Sequence, residues 1–120
     1  AMTLTKISSL LGIAQRAGFV VSGSNLVLRE VARAKGQRAK SWLVLAAADA
    51  LTPTGEDVIY SCLRRGVLVA RIPLMMEEMG RAIGKNHRSY VMIKDSGIAR
   101  RILALLEEME VQPLDQSKNI

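Results

Sequence analysis

A chain of 120 residues, 49% hydrophobic and 23% charged, can bury one packed core and is too apolar to stay disordered. Its net charge of +6 and pI of about 10.0 point to a polyanionic partner, nucleic acid before an anionic membrane surface. The lone Cys62 excludes an internal disulfide and fits a reducing cytoplasm; no apolar run nears the roughly 20 residues of a membrane span, and no secretory signal pattern opens the chain.

Ala1 ahead of Met2 reads as an expression scar and is set aside. Leu4, Ile7, Leu11 and Ala14 recur at helical spacing, so a helix is expected from about Thr5 to Ala17, closed by Gly18. Phe19-Val20-Val21 reads as a short strand and Ser22-Gly23 as a turn. Ser24 or Asn25 is a good N-cap for a second helix running to about Lys35 and stopping at Gly36. The nearly continuous apolar run Ser41–Ala47 suits a buried central strand.

Thr52-Pro53 reads as N-cap and first residue of a third helix with Val58, Ile59, Cys62 and Leu63 on its apolar face and Gly66 at its end. Val67 to Ile72 is a further strand, stopped by Pro73. Met75, Met76, Met79 and Ile83 mark a short fourth helix ending at Gly84, and Lys85-Asn86-His87-Arg88 is a polar loop. Ser89 to Lys94 reads as a strand. Asp95 or Ser96 then caps a last helix striped by Ile98, Ile102, Leu105, Leu106 and Met109. From Gln112 the chain turns polar and is expected to fray. Helices and strands alternate throughout. The expected fold class is α/β, a three-layer α/β/α sandwich with a mixed sheet of about four strands, as one domain over residues 1–120 with its core at about 5–108 and a polar tail at 112–120.

Charge is unevenly placed. Residues 1–40 set Lys6, Arg16, Arg29, Arg33, Lys35, Arg38 and Lys40 against Glu30 alone. Residues 81–101 set Arg81, Lys85, Arg88, Lys94, Arg100 and Arg101 against Asp95. A fold that brings these segments together makes one basic surface.

Enzyme chemistry finds little support. His87 is the only histidine, and no metal-ligand cluster is spaced for coordination. Cys62 sits on an apolar helix face and reads as core. Asp49, at the carboxyl end of a strand, lacks a partner base and reads as a turn or cap residue. Gly80 and Gly84 make no phosphate-loop or dinucleotide pattern. No cofactor or metal is expected. For nucleic acid, the aromatics Phe19, Trp42, Tyr60 and Tyr90 make a poor stacking platform. Helix-turn-helix and zinc-finger spacings are missing.

What remains is the stretch Val20–Glu30. Gly23 has no Cβ and admits close approach by another backbone. A helix start there offers unpaired N–H groups and the positive end of the dipole to a phosphate. Asn25 and Arg29 are four apart and share a face, and Arg33 extends it by a turn. Taken alone, the stretch is more simply a turn, a cap and a solvated basic face.

Together with other blocks it resembles a known family. Leu10–Gly18, Ser22-Gly23-Ser24-Asn25 with Arg29, Leu43–Asp49 and Met79–Gly84 resemble, in this order, the kink-turn RNA-binding ribosomal-protein family of L-seven-Ae / L-thirty-e type, in its small bacterial YlxQ-like branch. The resemblance covers about residues 5–108. It implies a non-enzymatic cytoplasmic protein that binds a sharply kinked RNA, ribosomal or ribosome-associated. By that match Gly23 admits the RNA backbone, Ser24 and Asn25 reach base edges or phosphate, and Arg29 takes the place of the family's usual lysine. Lys85, Asn86, His87 and Arg88 form the second RNA-facing loop.

Archaeal and eukaryotic members of that family commonly carry glutamate where this chain has Leu26, and an apolar second loop where this one is basic. The first change removes an acceptor for a guanine amino group. The second favours phosphate contact over apolar packing on a flipped nucleotide. Two rival readings keep the same fold: a protein-interaction module that has lost specific RNA binding, and the RNA-recognition component of a modification complex. A monomer is expected.

Overall fold

The computed structural model describes residues 2–50 and 53–115. Elements follow in the order α1 (Met2–Arg16), β1 (Val20–Ser22), α2 (Ser24–Ala32), α3 (Gly36–Lys40), β2 (Leu43–Ala46), α4 (Pro53–Arg65), β3 (Leu68–Arg71), α5 (Met76–Ala82), β4 (Tyr90–Ile93) and α6 (Ser96–Glu108). The strands form a four-stranded mixed sheet in the order β1-β4-β2-β3. β4 pairs antiparallel with both β1 and β2, and β2 pairs parallel with β3. Helices cover both faces: α2 packs on α4, and α1 packs on α5 and α6. This is the three-layer α/β arrangement expected from the alternation of elements.

The apolar run at 41–47 does become the core strand. Leu43, Val44, Leu45 and Ala46 are all fully buried between β4 and β3. β4 is buried along its length as well. On the last helix Asp95 is the N-cap, its carboxylate accepting from Ile98 N at 2.9 Å, while Ile102 and Leu106 reach the core. Asp49 serves as a cap too: its Oδ1 accepts from Met76 N at 2.8 Å at the start of α5. Helix α1 closes as its glycine predicts. Gly18 N donates to Gln15 O and Phe19 N to Ala14 O, the paired bonds of a Schellman end.

Four expectations need correcting. The residue that caps α2 is Gly23, and no side chain caps this helix, so neither Ser24 nor Asn25 is the N-cap. α2 stops at Ala32 rather than continuing to Lys35, and Gly36 opens the short helix α3 instead of ending a long one. Gly36 holds φ at +65° in the bend, and Ala34 and Ala39 are buried on its two sides. Met75 precedes α5 and is exposed. At the carboxyl end, Leu114 N donates to Val69 O at 2.8 Å and its side chain packs on the core. The chain is therefore held against the edge strand β3 two residues beyond the point where fraying was expected to begin. Thr52 lies outside the described residues.

Candidate nucleic-acid interface

The turn at Ser22-Gly23 is fixed by the sheet. β1 pairs with β4 in the register Val20↔Ile93, Val21↔Met92 and Ser22↔Val91. Gly23 N then donates to Tyr90 O at 2.9 Å, carrying the ladder one residue past the strand. Gly23 holds φ at +98°, a conformation that side chains rarely adopt. Its carbonyl accepts from Val27 N at 3.0 Å and starts α2. Val27 and Val31 bury on one side of this helix, which turns Asn25, Leu26, Arg29 and Arg33 outward.

The second loop is built just as tightly. Gly84 N donates to Arg81 O and Lys85 N to Gly80 O, another Schellman end, so the chain reverses at once after α5. It then lies back on the helix. A Cβ placed on Gly80 would overlap the carbonyl of Asn86, so only glycine permits this approach. Arg88 N donates to Met76 O at 3.1 Å, and Ser89 Oγ donates to Met76 Sδ at 3.1 Å.

Arg88 joins the two halves. Its Nε donates to Ser22 Oγ at 3.1 Å, and one terminal nitrogen donates to His87 O at 3.0 Å and Asn86 O at 3.4 Å. The guanidinium is thus held flat against the turn, with little freedom to lose on meeting an anion. A depression of about 430 Å³ opens beside it, with Leu26, Arg29, Arg33, Lys85 and Arg88 in its wall. Arg29 and Arg33 of the first basic segment meet Lys85 and Arg88 of the second here, while Lys6 and Arg101 lie in a separate hollow between α1 and α6. Asn86 and His87 line a neighbouring hollow of about 350 Å³ with Gly84 and Lys85. Ser24 and Asn25 stand beside the depression, on the first turn of α2, rather than in its wall.

Three lining groups escaped the sequence reading. Ser22 anchors Arg88, and Gln15 reaches the wall from α1. Glu30 places a carboxylate among the cations, where it accepts from Lys94 Nζ at 2.7 Å and stands 3.8 Å from Arg33. The hydrogen bond from Lys94 holds the Glu30 carboxyl below its ordinary value; burial opposes this, and the charges of Lys94, Arg33 and Arg29 reinforce it. Glu30 lies three residues before Arg33, a spacing that could have flagged the pair. Ser22 and Arg88 carry no such sign. Among the described residues, Arg29, Lys85 and Arg88 form no ion pair, so their charge is available to a ligand.

Among the described residues no cluster of three or more His, Cys, Asp or Glu side chains is placed to hold a metal ion, and no helix there is long and apolar enough to cross a membrane. Cys62 is buried in the core.

Residues 5–102 match the model of a family described as ribosomal protein L7Ae/L30e/S12e/Gadd45. The RNA-binding protein YlxQ of Bacillus subtilis (strain 168) is 39% identical over 98 residues, covering 82% of this chain and 92% of that protein. A solved structure of a Bacillus halodurans protein described as of unknown function superimposes with a TM-score of 0.73 at 30% identity, covering 85% of this chain and 97% of that one. The Giardia lamblia 15.5kD RNA binding protein superimposes with a TM-score of 0.62 at 20% identity, covering 92% and 89%, a likeness of fold alone. With the family model matched over most of its length and a relative this similar, the chain belongs to the ribosomal protein L7Ae/L30e/S12e/Gadd45 family.

Proposed function

We propose that this protein binds structured RNA with a sharp, kink-turn-like bend, as a cytoplasmic, ribosome-associated component that catalyses no reaction. The observation that carries this reading is the joint depression. Arg29 from α2 and Lys85 and Arg88 from the loop after α5 face one concavity with no acidic partner of their own. Its B. subtilis relative, named an RNA-binding protein, supports the same class of ligand. A concave basic wall suits a bent backbone, because a bend brings phosphates of two strand segments within reach of one surface.

Roles follow from position. Gly23 lets the RNA backbone approach the start of α2. Ser24 and Asn25 offer hydrogen bonds to base edges or phosphate. Arg29, Lys85 and Arg88 take phosphates, with Arg33 weaker because Glu30 shares its charge. Asn86 and His87 extend the contact into the second hollow. Leu26 is 51% exposed at the mouth and offers apolar contact to an unstacked base.

Titration with a kink-turn RNA beside a straight duplex of equal length, at near-physiological salt, tests the reading. Markedly tighter binding to the kinked RNA is expected. Equal, weak binding to both that disappears with added salt would leave only a basic surface, and the protein-interaction reading would take precedence.

A further inference from the structure

The depression does not end at Arg33. Its wall takes residues from the whole length of β1, Val20 to Ser22, and from α2 and its C-cap, Leu26 to Arg33, so it follows both elements along the sheet's edge strand. Beyond Val20 the chain of contacts continues. Lys94 N donates to Phe19 O at 2.8 Å, and Lys94 Nζ reaches Glu30 on one side and lies 4.6 Å from the centre of the Trp42 ring on the other. Trp42 stands one residue past the C-cap of α3, its backbone N–H donating to Ala39 O, and Ser41 Oγ donates to Arg38 O at 2.8 Å. Lys94 therefore links Glu30, in the wall of the depression, to Trp42, which stands two residues after the segment carrying Lys35, Arg38 and Lys40.

These three cations are exposed, and none of them forms an ion pair among the described residues. They lie on a bend whose buried side is held by Ala34 and Ala39, so the cations are carried on ordered backbone. α2 alone is about 14 Å long. At one charge per ~3.4 Å of duplex axis on each strand, a stem lying along α2 presents about four phosphates of one strand to it.

We propose that Lys35, Arg38 and Lys40 form a second nucleic-acid contact that grips the backbone of a helical stem leaving the bound kink, the stem following the α2–β1 groove to α3. This rests on the RNA-binding reading above and adds to it a contact to phosphates that is indifferent to base sequence. Glu30 does not break the track, because its carboxylate is engaged by Lys94 and Arg33. The kink is read at one end of the groove and stem length at the other.

Two kinked RNAs test this, alike except that the flanking stem is cut to about four base pairs in one and extended to about twelve in the other, so that only the longer reaches α3. The unaltered protein is expected to bind the longer RNA more tightly and with a steeper dependence on salt, by about two to three units in log–log slope for three phosphate contacts. The triple variant Lys35→Gln/Arg38→Gln/Lys40→Gln should lose that difference, binding the long-stem RNA roughly tenfold more weakly while leaving the short-stem RNA unaffected. Equal slopes for the unaltered protein on the two RNAs, a comparison that needs no variant, would overturn the proposal. So would an equal loss on both RNAs in the triple variant. If a straight duplex competes as well as either kinked RNA while the stem-dependent slope persists, the kink reading falls and the stem contact stands.

Discussion

Arg88 Nε donates to Ser22 Oγ across 3.1 Å, so two residues 66 positions apart in sequence tie the second loop to the edge strand. The bond sets where the guanidinium points before any ligand arrives. A net hydrogen bond of this kind is worth about 0.5–1.5 kcal/mol. Ser22→Ala should therefore weaken RNA binding roughly two- to tenfold, and Arg88→Ala should weaken it more. The double variant should bind no worse than Arg88→Ala alone, because Ser22 acts only through Arg88. Additive losses in a double-mutant cycle would show that Ser22 does not position Arg88.

Gly80→Ala should reverse the usual sign of a glycine-to-alanine change in a helix. Elsewhere the change gains about 0.5–1 kcal/mol. Here the added methyl overlaps the Asn86 carbonyl, so the loop must move away from α5. A lower melting temperature and weaker RNA binding are expected together. A rise in melting temperature with binding unchanged would mean that the loop is not held against this helix.

Arg29→Glu reverses a charge in the wall of the depression and should weaken binding strongly. The milder Arg29→Gln should flatten the log–log salt dependence by about 0.7 to 0.9, as expected for one phosphate contact. Affinity and slope both matching the parent would place the contact elsewhere.

Glu30 makes stability depend on acid. Its carboxyl is held below the ordinary value of 4.5, chiefly by the hydrogen bond from Lys94. The unfolded chain thus takes up a proton at Glu30 before the folded one does. The stabilisation is present above pH 4.5 and is lost as pH falls through the lowered value of the folded state. Chemical denaturation of Glu30→Gln across this range should show a shallower acid loss than the parent. Parallel curves would show that the Lys94 contact contributes nothing to folding.

Burial pushes the Cys62 thiol up to about 12, and its side chain is fully enclosed. An alkylating reagent at neutral pH should label it only in denaturant. Rapid labelling of the folded protein would show that the core opens around α4.

The parts legible in sequence were those set by local chemistry. Apolar spacing marked the helices other than α3, and the run at 41–47, short and lying between Lys40 and Asp49, suited a buried central strand. Gly18 and Gly84 marked helix ends because the reversal there needs a conformation that other residues resist. The Gly23 turn was visible for the same reason. Hidden were the relations set by strand order. That β4 inserts between β1 and β2 brings Arg88 to Ser22, and neither residue alone signals the other. The break after Ala32 was hidden in part: Gly36, at φ +65°, marked a reversal, but Arg33, Ala34 and Lys35 before it favour helix, so the end came at Ala32, four residues before that glycine.

Both walls of the depression are fastened to one strand. Gly23 N bonds to Tyr90 O, and Arg88 lies two residues before Tyr90, so turn and loop hang from the same end of β4. Opening the depression would mean unzipping β1 from a strand that is itself buried in the middle of the sheet. The depression is therefore already formed before any ligand arrives, with both walls hydrogen-bonded in place. On the proposed reading, whatever bending the complex needs falls to the RNA, and the tightest ligands should be those that already spend most of their time bent. Magnesium or any other agent that raises the bent fraction of free RNA should then strengthen binding in proportion to that fraction, with no change in the protein.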